Sequence, residues 1–351
     1  VGLCRELMDG IAEEDKDVPA FFESKILVRR LEDLTVVLRD FCAWDEKRGT
    51  VFWISKKFLP KDMVKDGGEP SYVVFTETPL DIAPLMAEGV FDPMQTVVCT
   101  SATLKTGRDF SYWMRRTGIS YAESERVRSG DFPSPFPYEK NMLFAVPSDA
   151  PLPEEGFAFQ QWIENAIVRL IEAAEGRTLV LFTSYDSLRS AYETAIRVLR
   201  KFEGALLKQG SDDNARLLEL FRSDVCSVLF ATDSFWQGVD VPGESLSQVI
   251  IVKLPFTVPN DPVFTARADS IKARGGNPFM ELSVPEAVIK FRQGIGRLMR
   301  RGSDRGSVVV LDRRLYEKRY GSVFLSNVPP CKRLYEPLEK LCAAITDFIF
   351  R

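Results

Sequence analysis

From residue 178 onward, short and almost wholly apolar runs alternate with longer stretches whose apolar residues recur every three or four positions, a rhythm that few folds accommodate. The runs at 178–182, 205–208, 227–231, 248–253 and 307–311 are rich in Val, Ile and Leu, as expected of strands covered on both faces. Helical periodicity fills 187–200, 213–222 and 285–300. Ahead of them, Phe159, Trp162, Ile163, Ala166, Ile167, Leu170, Ile171 and Ala174 make one helical face that stops at Gly176. This order predicts an α/β domain with a doubly wound parallel sheet, in which ligands meet the C-terminal ends of the strands.

The earlier residues read differently. Leu27, Leu31, Leu34, Leu38 and Phe41 place one stripe on a packing helix over 24–44. After Gly49, β-prone runs follow at 51–54, 72–76 and 96–100, the last continuous enough for a buried parallel strand. Pro133, Pro135, Pro137, Pro147, Pro151 and Pro153 then suit a connector. The division that follows is a helical segment over 1–48, an α/β portion with its connector over 49–150, and the α/β domain over 151–351.

Histidine is absent, which removes Ser-His-Asp hydrolysis, Cys-His proteolysis and His-ligated metals from consideration. The six cysteines, Cys4, Cys42, Cys99, Cys226, Cys331 and Cys342, include no C-x-x-C pair, so they do not read as a zinc or iron–sulfur framework. No apolar run approaches the roughly 20 residues of a membrane span. With no secretory signal at Val1, the reading is a cytoplasmic protein with no membrane partner, and a start at Val reads as a fragment. A net charge of −4 gives no global pull on a polyanion. Locally, however, Lys290, Arg292, Arg297, Arg300, Arg301, Arg305, Arg313 and Arg314 face only Asp304 and Asp312, which suits an anion or a solvated basic face.

Within that basic run lies Phe291-Arg292-Gln293-Gly294-Ile295-Gly296-Arg297-Leu298-Met299-Arg300. If the helix runs through Arg300, Gln293, Arg297 and Arg300 converge on one face. Guanidinium groups so placed can stabilise charge on a transferring phosphoryl group. Each mid-helix glycine costs about 1 kcal/mol relative to alanine, so Gly294 and Gly296 imply close packing or function. The pattern Q-x-x-G-R-x-x-R is similar to motif VI of superfamily-two helicases, and the string from Phe291 to Gly306 resembles the DinG branch, relatives of XPD. Three further segments resemble that family's motifs in its order: Ser101-Ala102-Thr103-Leu104 (motif III), Leu181-Phe182-Thr183-Ser184-Tyr185 (motif IV), and 231–243 (motif V). In motif V this chain has Gln237 where those relatives usually have Glu.

The resemblance implies two RecA-like motor domains, with 49–150 the last part of the first, 151–351 the second, and 1–48 the end of a helical arch insertion. It implies an ATP-dependent DNA helicase moving 5′ to 3′ on single-stranded DNA, as a monomer. Gln293, Arg297 and Arg300 would be catalytic, Gly238 and Asp240 nucleotide-binding, and Ser101, Ala102 and Thr103 coupling residues. Thr183, Ser184, Tyr185, Thr232 and Ser234 would touch DNA; at a strand-to-helix turn the alternative for Thr183–Tyr185 is an ordinary helix cap. No Gly-Lys dipeptide exists for a phosphate-cradling P-loop, and Asp45-Glu46 sits in a charged turn rather than at a strand end. ATP and Mg²⁺ are therefore expected mostly on segments outside this chain, with any iron–sulfur cluster also upstream. Two other readings remain open: a nucleic-acid-binding or regulatory module that has lost its P-loop, and an unrelated α/β transferase.

Overall fold

A computed structural model describes residues 1–58, 70–106, 109–232, 235–236, 241, 243–258 and 260–350. Its centre is a parallel sheet of seven strands: β3 (Met142–Pro147), β4 (Thr178–Leu181), β5 (Leu206–Lys208), β6 (Val228–Ala231), β7 (Gln248–Ile251), β8 (Gly306–Val310) and β9 (Lys332–Glu336). They lie in the order β5-β6-β4-β7-β8-β3-β9. Successive side chains of a strand point to opposite faces, and the apolar runs feed two cores accordingly. Leu179, Leu181, Val249, Ile251, Val308 and Val310 join one core; Val180, Phe182, Ile250, Val252, Val309 and Leu311 join the other.

On the first face pack α6 (Asn214–Ser223), through Leu217 and Phe221, and α8 (Val284–Ile295), through Val284, Ala287, Val288, Phe291 and Ile295. The second face is covered by α4 (Phe157–Ala173), α5 (Tyr185–Val198) and α9 (Leu338–Phe350). The doubly wound α/β architecture read from the sequence is therefore present. From β4 the chain proceeds toward the β5 edge, whereas from β7 it proceeds toward β8, so the direction switches between β4 and β7, the position at which doubly wound sheets take their ligands.

Several expectations need correction. The sheet takes β3 from the proline-rich stretch read as a connector, so it begins before residue 150. Pro147 closes that strand, a position where a missing N–H costs little. Residues 96–100 form no strand: they are exposed, and a parallel strand cannot exist without a neighbour to take its N–H and C=O groups. The early helix is real, as α2 (Pro19–Cys42), but buries no residue; Leu27, Leu31, Leu34 and Leu38 stay exposed. Glu32 pairs with Arg5 at its middle, and at its end Phe41 meets Phe52 and Phe75 edge to face at 5.1 and 5.2 Å. Those two rings belong to an antiparallel hairpin of β1 (Thr50–Phe58) and β2 (Ser71–Pro79).

Contacts from the first 131 residues reach the sheet domain through helices α7 (Pro262–Ala273) and α8. Arg267 Nε donates to the Leu80 carbonyl at 3.1 Å, and Arg116 pairs with Glu286 at 3.7 Å. The contact is partly dry. Burial pushes the Tyr112 phenol up to about 12, and burial raises Glu286 despite the nearby Arg116.

Candidate functional site

Motifs IV and V begin at the C-terminal ends of β4 and β6, while motif VI lies on α8 and the turn after it, and motif III is held against α8. The helix of motif VI ends at Ile295, earlier than its periodicity predicts. Gly296 N still donates to Arg292 O, but Arg297 N and Leu298 N donate only three residues back, to Gly294 O and Ile295 O. Past that turn stands Asp304, a buried carboxylate whose Oδ2 accepts from both Arg300 N and Arg301 N at 2.7 Å. Those amides are thereby withdrawn from the helical ladder. Hence Gln293 sits on the helix, Arg297 on its closing turn and Arg300 in the loop beyond. The helical-face argument for their convergence therefore does not hold beyond Ile295; Arg297 keeps its link to Gln293 through the bond from its Nε to Gln293 O.

Asp304 also reaches motif V. Its Oδ1 accepts from Gly243 N at 3.3 Å, which ties the Arg300 loop to the far side of motif V. Arg297 makes a second tie: its Nε donates to Trp236 O at 3.0 Å and to Gln293 O at 3.2 Å. Trp236 is buried, and its Nε1 donates to Phe182 O at 3.4 Å, at the end of β4. Gly294 makes room for that indole; a Cβ there would lie 3.0 Å from two ring atoms. The close approach expected of Gly294 thus has a partner, and the arginine-bearing turn is held against Trp236.

At motif IV, Ser184 caps α5, its Oγ accepting from Ser187 N at 3.2 Å. Thr183 is half-buried, whereas Ser184 and Tyr185 are exposed at the start of the helix, where first-turn N–H groups face outward. Thr232 is different. It is buried, and both its N–H and its hydroxyl donate to Gln209 Oε1, at 2.7 and 3.0 Å. It braces the start of motif V and offers no surface to a DNA strand. Ser234, Gln237, Gly238 and Asp240 lie outside the described residues.

Motif III is a polar turn in irregular backbone: Ser101 Oγ accepts from Thr103 N at 3.2 Å and lies 3.1 Å from Thr103 Oγ1. Arg292 reaches across from α8 to hold it, with Nη2 donating to Ala102 O at 2.7 Å and Nη1 donating to Lys105 O. Burial lowers the Arg292 pKa, yet a guanidinium stays charged, so these are charge-assisted bonds. Sequence reading missed Arg292, Gln209 and Asp304. Arg292 adjoins Gln293 within the motif VI string, and Asp304 is the first acid in the basic run. Gln209 had the faintest signal, a polar residue just past a short apolar strand.

Among the described residues no group of three or more His, Cys, Asp or Glu side chains converges in a way that could hold a metal ion, and no helix is long and apolar enough to cross a membrane.

Comparison with known proteins places this geometry in a family. Residues 167–331 match the helicase C-terminal domain. The chain is 35% identical over 309 residues to the ATP-dependent DNA helicase YoaA of Haemophilus influenzae, covering 88% of this chain and 43% of that protein. It is 38% identical to the ATP-dependent helicase DinG of Mycobacterium tuberculosis, covering 84% of this chain and 42% of that protein. A solved XPD helicase structure superposes with a TM-score of 0.52 at 15% identity, over 74% of this chain and 46% of the other, and so shares the fold. The chain spans less than half the length of these curated relatives.

Proposed function

Because this chain belongs to the DinG-type, XPD-related family of superfamily-two helicases, we propose that it forms the arginine-bearing part of an ATP-dependent DNA helicase. One observation carries the reading: Arg297 fastens the motif VI turn to Trp236 in the middle of motif V, and Asp304 fastens the loop beyond it to Gly243 at the far end of that motif. In this account Gln293, Arg297 and Arg300 face the phosphates of ATP gripped by a P-loop encoded outside this chain, with Mg²⁺ held by that same outside segment. Gly238 and Asp240 contribute to the nucleotide, and Ser184, Tyr185 and Ser234, with Thr183, meet single-stranded DNA. Family likeness supports 5′ to 3′ translocation by a monomer.

The division of labour has a physical logic. The P-loop half supplies binding, whereas a guanidinium arriving as the domains close acts on charge that develops only in transfer; such fingers contribute about 10³ to 10⁵ in rate in well-studied systems. Arg292, by holding the motif III turn, would report that closure to the first domain. The test is hydrolysis by this chain alone. With oligo-dT present, no ATP turnover above a buffer blank is expected, and measurable turnover would overturn the shared-site account.

A further inference from the structure

Gln209 occupies the end of β5 in a position that joins two loops the sequence treats separately. It is buried to 8% exposure, and its own N–H extends the ladder by donating to Phe230 O at 2.9 Å. Its side-chain amide has only one workable orientation. Thr232 N–H can only donate, so the group facing it at 2.7 Å must be Oε1, and Nε2 must face the other way. There it donates to the Tyr185 hydroxyl at 2.8 Å. The Tyr185 oxygen is thus an acceptor whose location is fixed, while the residue remains 59% exposed.

We propose that Gln209 is a positioning residue for single-stranded nucleic acid: it pins the edge of the Tyr185 ring so that an open face is presented for stacking on a base. The inference rests on the DNA-binding reading of motif IV and deepens it, from phosphate contacts at a helix start to a base contact. Stacking tolerates any base because every base has a π-face, and a ring already held in place loses less freedom when a base arrives. The same amide grips Thr232 at the head of motif V, so displacement of that loop shifts the stacking platform with it.

The test uses the whole chain and a fluorescein-labelled oligo-dT, read by anisotropy, beside the same oligomer carrying abasic sites. Tyr185→Ala should weaken oligo-dT binding about tenfold. Tyr185→Phe keeps the ring and drops only the oxygen that Gln209 holds; it and Gln209→Met should each cause the same smaller loss. Adding Gln209→Met to Tyr185→Ala should cost nothing more, and the abasic oligomer should be indifferent to all four variants. Because Tyr185 is exposed, Tyr185→Phe stays informative even if Gln209→Met folds poorly. Gln209→Met and Tyr185→Phe leaving affinity unchanged, or losses that add in the double variant, would overturn the inference while leaving the DNA reading intact. Absence of any oligo-dT binding by the wild-type chain would overturn both.

Discussion

Arg292 donates to the backbone carbonyl of Ala102 at 2.7 Å across 190 positions of sequence, and with its second arm to Lys105 O. Two charge-assisted bonds from one planar head fix the motif III turn to the helix that carries Gln293 and leads into the Arg297 turn. Arg292→Ala should therefore lower stability by about 1–3 kcal/mol in urea unfolding. It should also speed amide exchange in 101–106 far more than in β4 or β7. Arg292→Lys should recover little, because an ammonium cannot span two carbonyls in a fork. Unchanged exchange in that turn would show that the latch does not order it.

Asp304 accepts three backbone N–H groups from two motifs. Asp304→Ala should cost about 2 kcal/mol or more in urea unfolding, since buried donors lose a charged acceptor. The adjacent exposed Arg301→Ala should stay within about 0.5 kcal/mol of wild type. Equal effects from the two substitutions would contradict the role given to the carboxylate.

Glu164 gives the pH dependence a definite sign. Burial alone would push its carboxyl up, but hydrogen bonds from Ser190, Gln160 and Thr194 together hold it below the ordinary 4.5. A carboxylate with a depressed folded-state pKa stabilises the protein above the unfolded value, and that contribution disappears as pH falls through the folded value. The stability difference between wild type and Glu164→Gln should therefore be constant above the ordinary value and shrink as the solution is acidified below it. A difference that grows on acidification would reverse the assignment.

The legible and illegible parts of this chain separate along physical lines. Strands such as β7 and β8 declared themselves because both faces are buried, leaving a continuous apolar run. Strand β3 was hidden among prolines, although only its last residue is one. Strand β9 is a charged edge, Lys-Arg-Leu-Tyr-Glu, that looks like a loop. The run at 96–100 has strand composition but no neighbour to pair with among the described residues. Composition says what a segment tolerates, while pairing decides what it becomes.

The candidate site shows the same split. Motif strings located Arg297 and Arg300, yet periodicity alone carried the helix past Ile295. The helix gives way there to a turn, and the loop beyond is held by Asp304, whose link to Gly243 spans 61 positions. Gln209 and Arg292 likewise matter through partners 23 or more positions away, a distance no local pattern reports.

The most direct measurement is steady-state ATP hydrolysis, with saturating single-stranded DNA, by a protein that carries this chain together with its P-loop segment. Arg300→Ala should lower kcat by about 10³ or more and leave the ATP dissociation constant within about threefold of wild type. A variant that loses ATP affinity but turns over at the normal kcat would contradict the assignment of this arginine to phosphoryl transfer.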